Sequence, residues 1–459
     1  MSRIAPPPPG GFDIETQVLI IGAGACGLVA ALACRERGAE CVVLERGRAP
    51  AGSTALSAGL IPAAGTRFQR QRGVQDSPAL LAADVQRKAK GRADPLVVAT
   101  VADMAAPTVE WLVDSHRVEL DLLDDFLYPG HSALRMHGVP ARSGADLIAM
   151  LARAAEAAEV PIVTQATADT LFVDGDRVVG AAYRRPDGLS ETIGCQALIL
   201  ACNGYGGAKD LVAVHIPEMA DALYFGHVGN QGDALRWGEA LGGVGAHLTA
   251  YQGHGSVAHP HGILITWATV MGGGFQVNAE GKRFSDETHG YSEQAVAVLG
   301  QPGGVAWTIF DESIAATARQ FQDFRDAEAA GAIIGADDLA GLAAKAGLPA
   351  DALALSFDEL SAGRCPWGRA SPSKALASPF RAVRVTGALF HTQGGLRIDS
   401  SARALRADGS PLPNLFAGGG AACGVSGPAV DGYLSGNGLL TAVALGKIAG
   451  AAAATLALS

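Results

Sequence analysis

Three glycines and one glutamate have the types and spacing to hold a nucleotide's phosphates and ribose. Gly22-Ala-Gly24-Ala25-Cys-Gly27 is a Gly-x-Gly-x-x-Gly run, and Glu45 follows it at about 20 residues' distance, where a carboxylate accepts both ribose hydroxyls. Gly22 suits the tight turn, Gly24 a close backbone approach to a pyrophosphate, and Gly27 close helix–strand packing. The elements these residues need are also readable. Gln17–Ile21 is a β-branched apolar run of buried-strand length, Leu28–Arg37 is an alanine-rich helix, and Glu40–Leu44 is a second strand ending on the acid. The helix N-terminus then offers N–H groups and partial positive charge to the phosphates. Strand, turn, helix, strand and acid in register predict a bound dinucleotide.

The segment after Glu45 and Arg46 bears on which dinucleotide is held. Ser53, Thr54, Ser57, Ala58 and Gly59 lie in a small-residue stretch, Gly52 to Gly65, whose amides can crowd a flat ring system; it has no histidine to anchor a covalent flavin. Pro161–Thr167 (with Ala166), Thr170–Val173, Val178–Tyr183 and Glu191–Ile193 read as short strands split by Asp-Gly-Asp and Pro-Asp-Gly turns. They return to a strand, Ala197 to Ala201, that ends on Asn203-Gly204. A meander feeding a parallel strand fits an FAD domain better than an NAD domain. Gly229-Asn230-Gln231-Gly232-Asp233 then opens a helix, Leu235–Leu241, and two late turns, Gly418-Gly419-Gly420 and Gly436-Asn437-Gly438-Leu439, repeat the strand-to-helix theme.

Composition narrows the classes. The chain has 459 residues, 49 % of them hydrophobic, 60 glycines, and a net charge of −10. A sizeable core is expected, and a nucleic-acid-binding surface is not. Seven scattered cysteines without a Cys-x-x-Cys pair speak against a disulfide framework or metal cluster and suggest a reduced, cytoplasmic setting. Residues 1–11, rich in proline, read as a disordered tail. Leu439–Ser459 is apolar, but Lys447 between Gly446 and Gly450 marks it as a buried core helix, so no membrane partner is expected. Ala327–Ala354 reads as a helical surface segment. His254, His259, His261 and His289 invite a metal, but their spacing matches no zinc signature, and none is expected.

These motifs, with GKRFSDE at Gly281–Glu287 and HTQGG at His391–Gly395, resemble the FAD-dependent family of soluble fumarate reductases, succinate dehydrogenase flavoproteins, L-aspartate oxidase and 3-ketosteroid dehydrogenases. The resemblance implies an α/β fold: a Rossmann-like, split FAD domain (12–250 and 387–459) interrupted by an α+β capping domain (251–386), with FAD held non-covalently. It also locates the substrate positions. The family's proton-donating arginine falls on Tyr291, and its carboxylate-clamping arginine on Tyr433. Its His-Pro-Thr motif becomes His254-Gly255-Ser256, its Thr-Glu pair Thr266-Trp267, and its His-x-Thr-x-Gly-Gly histidine Phe390, with His391 beside it. Two arginine forks for a dicarboxylate are replaced by aromatic rings, which suit a neutral, largely apolar substrate with a carbonyl.

The resulting expectation is an oxidoreductase acting on a CH–CH bond beside a carbonyl, with a cyclic ketone or 3-ketosteroid as substrate. Tyr291 is the expected proton-transfer residue, its phenol activated by His254 or His289. Tyr433 or the Ala422–Gly424 amides, Gly424 included, would polarise the carbonyl. A packed aromatic with an internally bonded hydroxyl is the structural alternative for each tyrosine. The same site run in reverse is an ene-reductase of an activated alkene. With no second nucleotide motif and no haem motif, electrons are expected to pass to or from a separate carrier. An electron-transfer subunit is the rival class.

Overall fold

The computed structural model describes residues 2–124 and 126–459. It divides into two compact units, one of residues up to 216 with 226–251 and 391–459, the other of 217–225 with 252–390. Relative to the division read from sequence, the second unit gains Pro217–Phe225 and reaches Phe390.

The first unit is organised by a nine-stranded sheet. Ile14–Ile21 is flanked in parallel by Cys41–Leu44 on one side and Ser190–Leu200 on the other. Val18, Leu19 and Ile20 are fully buried, as both faces of a parallel sheet must be. Ser190–Leu200 belongs to two arrangements at once. Ser190 to Gly194 pairs antiparallel with the meander strand Arg177–Arg184, while Leu198 to Leu200 pairs in parallel with Pro411–Ala417. The stretch expected as two strands is therefore one. Pro161–Thr167, expected as one, breaks into Ile162–Val163 and the start of Thr167–Asp174.

The helix after the glycine turn, Ala25–Glu36, starts three residues earlier than expected. A Cβ on Gly27 would lie 1.8 Å from the Gly22 carbonyl oxygen, so helix and turn are locked at a distance only glycine allows. Against this helix packs the final one, Asn437–Leu458. There Gly446 and Gly450 face the backbone of Cys26 and Ala30, where added Cβ atoms would come within 2.5 and 2.2 Å of the two carbonyl oxygens. Lys447, on the same helix, places its ammonium 4.3 Å from the centre of the Trp111 ring, a cation–π arrangement. This helix and Pro95–His116 are the two long and apolar enough to cross a membrane among the described residues; more than half of each is buried against the protein.

The N-terminus departs from the expected tail. Arg3–Ala5 forms a strand that pairs in parallel with Thr170 to Phe172 at the meander's edge. Ser2 Oγ donates to Asp233 at 2.8 Å. A three-residue strand carries too little pattern to be seen without its partner.

The second unit is built on a seven-stranded sheet. Its long strand Phe380–Thr392 pairs antiparallel with Val305–Asp311 and Ile333–Ala336 and in parallel with Leu223–Tyr224. The segment expected as a surface helix is instead Gln322–Ala329, Leu339–Ala346 and Ala350–Ser361 around the strand Ile333–Ala336. Ala327, Leu342, Ala343 and Leu353 are fully buried in this unit's core; alanine content alone could not show which face was covered.

Candidate active site

In the first unit the glycine turn, the small-residue stretch and the later turns converge. Glu45 is buried at the strand end, its carboxylate accepting from Ala23 N at 2.8 Å and Gly47 N at 2.7 Å. Each oxygen keeps a second lone pair for a ribose hydroxyl. Thr54 Oγ1 accepts from Ala25 N (3.1 Å), and Ser57 Oγ donates to the Thr54 carbonyl (2.7 Å) and accepts from Gly59 N (3.1 Å). Ser53 Oγ gathers Asn203 Nδ2 (3.0 Å) and Asn230 Nδ2 (2.9 Å). Arg46 pairs with Asp233 at 2.6 Å.

The remaining predicted positions are spread around this core. Ala166 N reaches the Glu45 carbonyl and Ala201 N that of Ile21, both at 2.9 Å. Gly204 and Gly420 stand against Asn203, Gly419 borders Cys26, and Gly436 takes a left-handed φ of 85° before Asn437 and Leu439 open the last helix. Ala58 is exposed.

Two observations test whether this cradle fits FAD. The helices at Ala25 and Asn437 both have a glycine at the N-cap with no side chain to close the turn, Thr54 bonding only the Ala25 N–H, so the N-terminal dipoles face a ligand. Asn437 is fully buried, yet its Oδ1 has no hydrogen-bond partner among the described residues. A buried acceptor of that kind calls for a donor from outside the protein. The residues fit the cofactor.

Also in this unit, Asn437 Nδ2 donates to Ser426 Oγ (3.1 Å), Ser426 Oγ to Gln393 Oε1 (2.7 Å), and Gln393 Nε2 to His391 Nδ1 (3.0 Å). His391 Nδ1 also lies 3.3 Å from the Thr392 carbonyl oxygen, and burial pushes the pKa of the ring down to about 4. Tyr433 meets the ring edge-on at 5.7 Å. Gln393 and Ser426 were missed from sequence; Gln393 lies within the HTQGG motif and could have been suspected, whereas Ser426 carried no signal. The amides of Ala422, Cys423 and Gly424 do not serve a carbonyl as expected. They donate to Gly419 O, Leu396 O and Gln393 O at 3.2, 2.8 and 2.9 Å, so Gly424 contributes no free N–H.

The second unit brings the aromatic replacements together. Phe225, Phe390, His254 and Tyr291 form a continuous stack, with successive ring centres 4.9, 5.2 and 4.9 Å apart and interplanar angles of 24, 19 and 23°. Trp267 stands edge-on to His254 at 5.5 Å and to Tyr291 at 6.1 Å. Thr266 Oγ1 is turned to its own chain, accepting from Ala268 N at 3.4 Å. Phe225 was not foreseen, because it follows a two-residue strand, Leu223–Tyr224, far from the others in sequence.

His254 Nδ1 accepts from Ser256 N (3.2 Å), which leaves the ring N–H on Nε2, and burial drives its pKa down to about 3. A neutral imidazole lends no positive charge to Tyr291. The side chain of His289 is 69 % exposed and pairs with Asp286 at 3.4 Å. His261 is exposed and His259 half-buried, and the described residues include no group of three metal-ligating side chains.

A parallel sheet with a glycine-turn nucleotide cradle, interrupted by a second unit bearing an aromatic cluster, defines an FAD-dependent oxidoreductase of the two-unit flavoprotein class. Residues 17–439 match the FAD binding domain family. The chain is 30 % identical to a probable fumarate reductase, Ifc3, from Shewanella frigidimarina (98 % of this chain, 76 % of that protein). It is 25 % identical to a 4-oxocyclohexanecarboxylate 2-dehydrogenase from Sinomonas cyclohexanicum (96 % and 95 %). A solved 3-ketosteroid Δ4-(5α)-dehydrogenase from Rhodococcus jostii superposes with a TM-score of 0.75 at 23 % identity (98 % and 99 %). The protein belongs to this FAD-binding family, the one that contains the fumarate reductases.

Proposed function

We propose that the protein dehydrogenates a cyclic ketone at the CH–CH bond next to its carbonyl. The observation that carries this is the stack Phe225–Phe390–His254–Tyr291 with Trp267, in which Tyr291 and Trp267 stand where the resemblance to the dicarboxylate enzymes calls for an arginine and a glutamate. A flat, uncharged ring matches such a wall in shape and polarity. The relative named for 4-oxocyclohexanecarboxylate supports a ring ketone as the substrate class.

FAD, when bound, supplies the acceptor for the hydride that leaves the β carbon. Tyr291 takes the α proton as its phenolate, Oη becoming the neutral phenol hydroxyl, and Tyr433 Oη donates to the carbonyl oxygen as enolate charge develops on it. The neutral ring of His254, stacked on Tyr291 at 4.9 Å, does not compete for the proton.

The reverse reaction, reduction of an activated alkene, is favoured by the identity to the fumarate reductase relative. One experiment separates the readings. Anaerobic addition of cyclohexanone or a saturated 3-ketosteroid should bleach the oxidised flavin. If neither bleaches it, while fumarate reoxidises the dithionite-reduced protein, the ketone reading is wrong.

A further inference from the structure

Two buried hydrogen-bonding groups beside the aromatic stack have nothing to bond to. Trp267 Nε1 and Ser256 Oγ are both enclosed, and neither has a partner among the described residues. Buried polar groups are almost always paired, so two such groups in one place need an explanation. They belong to one neighbourhood. Ser256 lies two residues from His254 on the strand Tyr251–Ala258, hence on the same face. Its carbonyl accepts from Ile265 N at 2.9 Å, just before Thr266-Trp267, and the Trp267 ring abuts His254.

An indole N–H can only donate, so its missing partner is an acceptor. The buried cations of this unit, Arg283 and Arg369, are both committed to Glu287, at 3.0 and 2.8 Å, and His254 is neutral. Both guanidiniums are held at that one carboxylate, and the ring that meets Trp267 is the neutral His254, so the acceptor that suits this subsite is uncharged. We propose that Trp267 Nε1 and Ser256 Oγ form a subsite for an uncharged substrate oxygen, a ring carbonyl or hydroxyl, and thereby select oxygenated rings over hydrocarbons and over carboxylates. This rests on the ring-ketone reading above.

The test is a flavin-absorbance titration of the holoenzyme with cyclohex-2-enone and with its oxygen-free counterpart 1-methylcyclohexene. Trp267→Phe, which keeps a ring and deletes the donor, should weaken enone binding about tenfold to a hundredfold, and Ser256→Ala about threefold to tenfold. Neither should alter hydrocarbon binding more than about twofold. Because the Ser256 hydroxyl has no internal partner, Ser256→Ala should melt at or above the wild-type temperature.

Enone binding unchanged in both variants overturns the subsite, as does a melting temperature several degrees lower for Ser256→Ala, which would mean the hydroxyl is bonded within the protein. If the wild type binds fumarate but not the enone, the ring-ketone reading itself fails, and the subsite with it.

Discussion

Arg135 is the most consequential buried charge in the first unit. Its guanidinium and the carboxylates of Asp76 and Asp84 are all fully enclosed. Nε and Nη2 grip Asp76 at 2.9 Å each, and Nη1 meets Asp84 at 2.7 Å. Burial pushes the Asp84 pKa up, but bonds from Ser132 and Arg87 and the charge of Arg135 outweigh it, so the net shift is downward. Replacing Arg135 by Met fills similar space and leaves Asp76 to Gln69 and Asp84 to Arg87 and Ser132. Breaking a buried pair in this way costs about 3–5 kcal/mol. Spread over the unfolding entropy of a unit of about 310 residues, that is a drop of about 5–8 °C in melting temperature.

The pH dependence adds a second signature. Losing the Arg135 charge removes one of the influences that hold the Asp84 carboxyl below its usual range, so the folded variant takes up a proton at a higher pH than wild type does. The deficit to wild type should therefore narrow as pH falls through the carboxylate range, from about pH 5 to about pH 3. The assay is the melting of both holoproteins across that range. A deficit below about 1 °C, or one that does not change with pH, would refute the view that Arg135 compensates these buried carboxylates.

The site itself sets further expected outcomes. Tyr291→Phe preserves the ring stacked on His254 at 4.9 Å and should keep full flavin content while lowering turnover of the ketone substrate by about 10²–10⁴-fold; survival within about threefold would remove Tyr291 from the chemistry. Gly27→Ala drives a methyl to 1.8 Å from the Gly22 carbonyl oxygen and should yield protein with FAD affinity weakened at least about tenfold, read from the absorbance of the purified protein. His131, His137 and His391 are held neutral by burial with pKa values near 4. The unfolded chain takes up protons between about pH 6.5 and pH 4 that the folded chain does not, so stability is complete above that window and declines as pH falls through it. Each histidine contributes up to about 1.4 kcal/mol per pH unit, and melting temperatures that stay level from about pH 7 to pH 5 would contradict their burial as neutral rings.

Only local features could be read from the sequence. The Gly22–Gly27 turn, Glu45 and the flanking strands are contiguous, and each residue type has a physical job at its own position. Ser53 and Asn203 could be nominated singly, but their shared hydrogen bond joins distant segments and only the fold discloses it. The substitution of aromatics for arginines was visible position by position, yet the stacking of Tyr291 on His254 and Phe390 was not, nor was its outer member Phe225, carried beside a two-residue strand with no pattern of its own. The supposed amide donors at 422–424 failed for a related reason: a glycine-rich loop looks open in sequence, and its backbone partners are set by register with Leu396 and Gln393.

The double allegiance of Ser190–Leu200 has a consequence for how the chain is made. Its inner end finds one neighbour in Ile14–Ile21, which leaves the ribosome early, but the other, Pro411–Ala417, emerges only after the whole second unit has been synthesised. Until then Leu198 to Leu200 is an open edge, and the face of Ala25–Glu36 that receives Asn437–Leu458 is bare. The nascent chain must carry an unsealed apolar sheet for more than two hundred residues of elongation, a standing invitation to edge-on association. Residues 252–390, by contrast, form a continuous stretch able to pack nearly all of its own core as it appears. The order of birth thus runs opposite to the order of the motifs: the nucleotide cradle is spelled first and closed last.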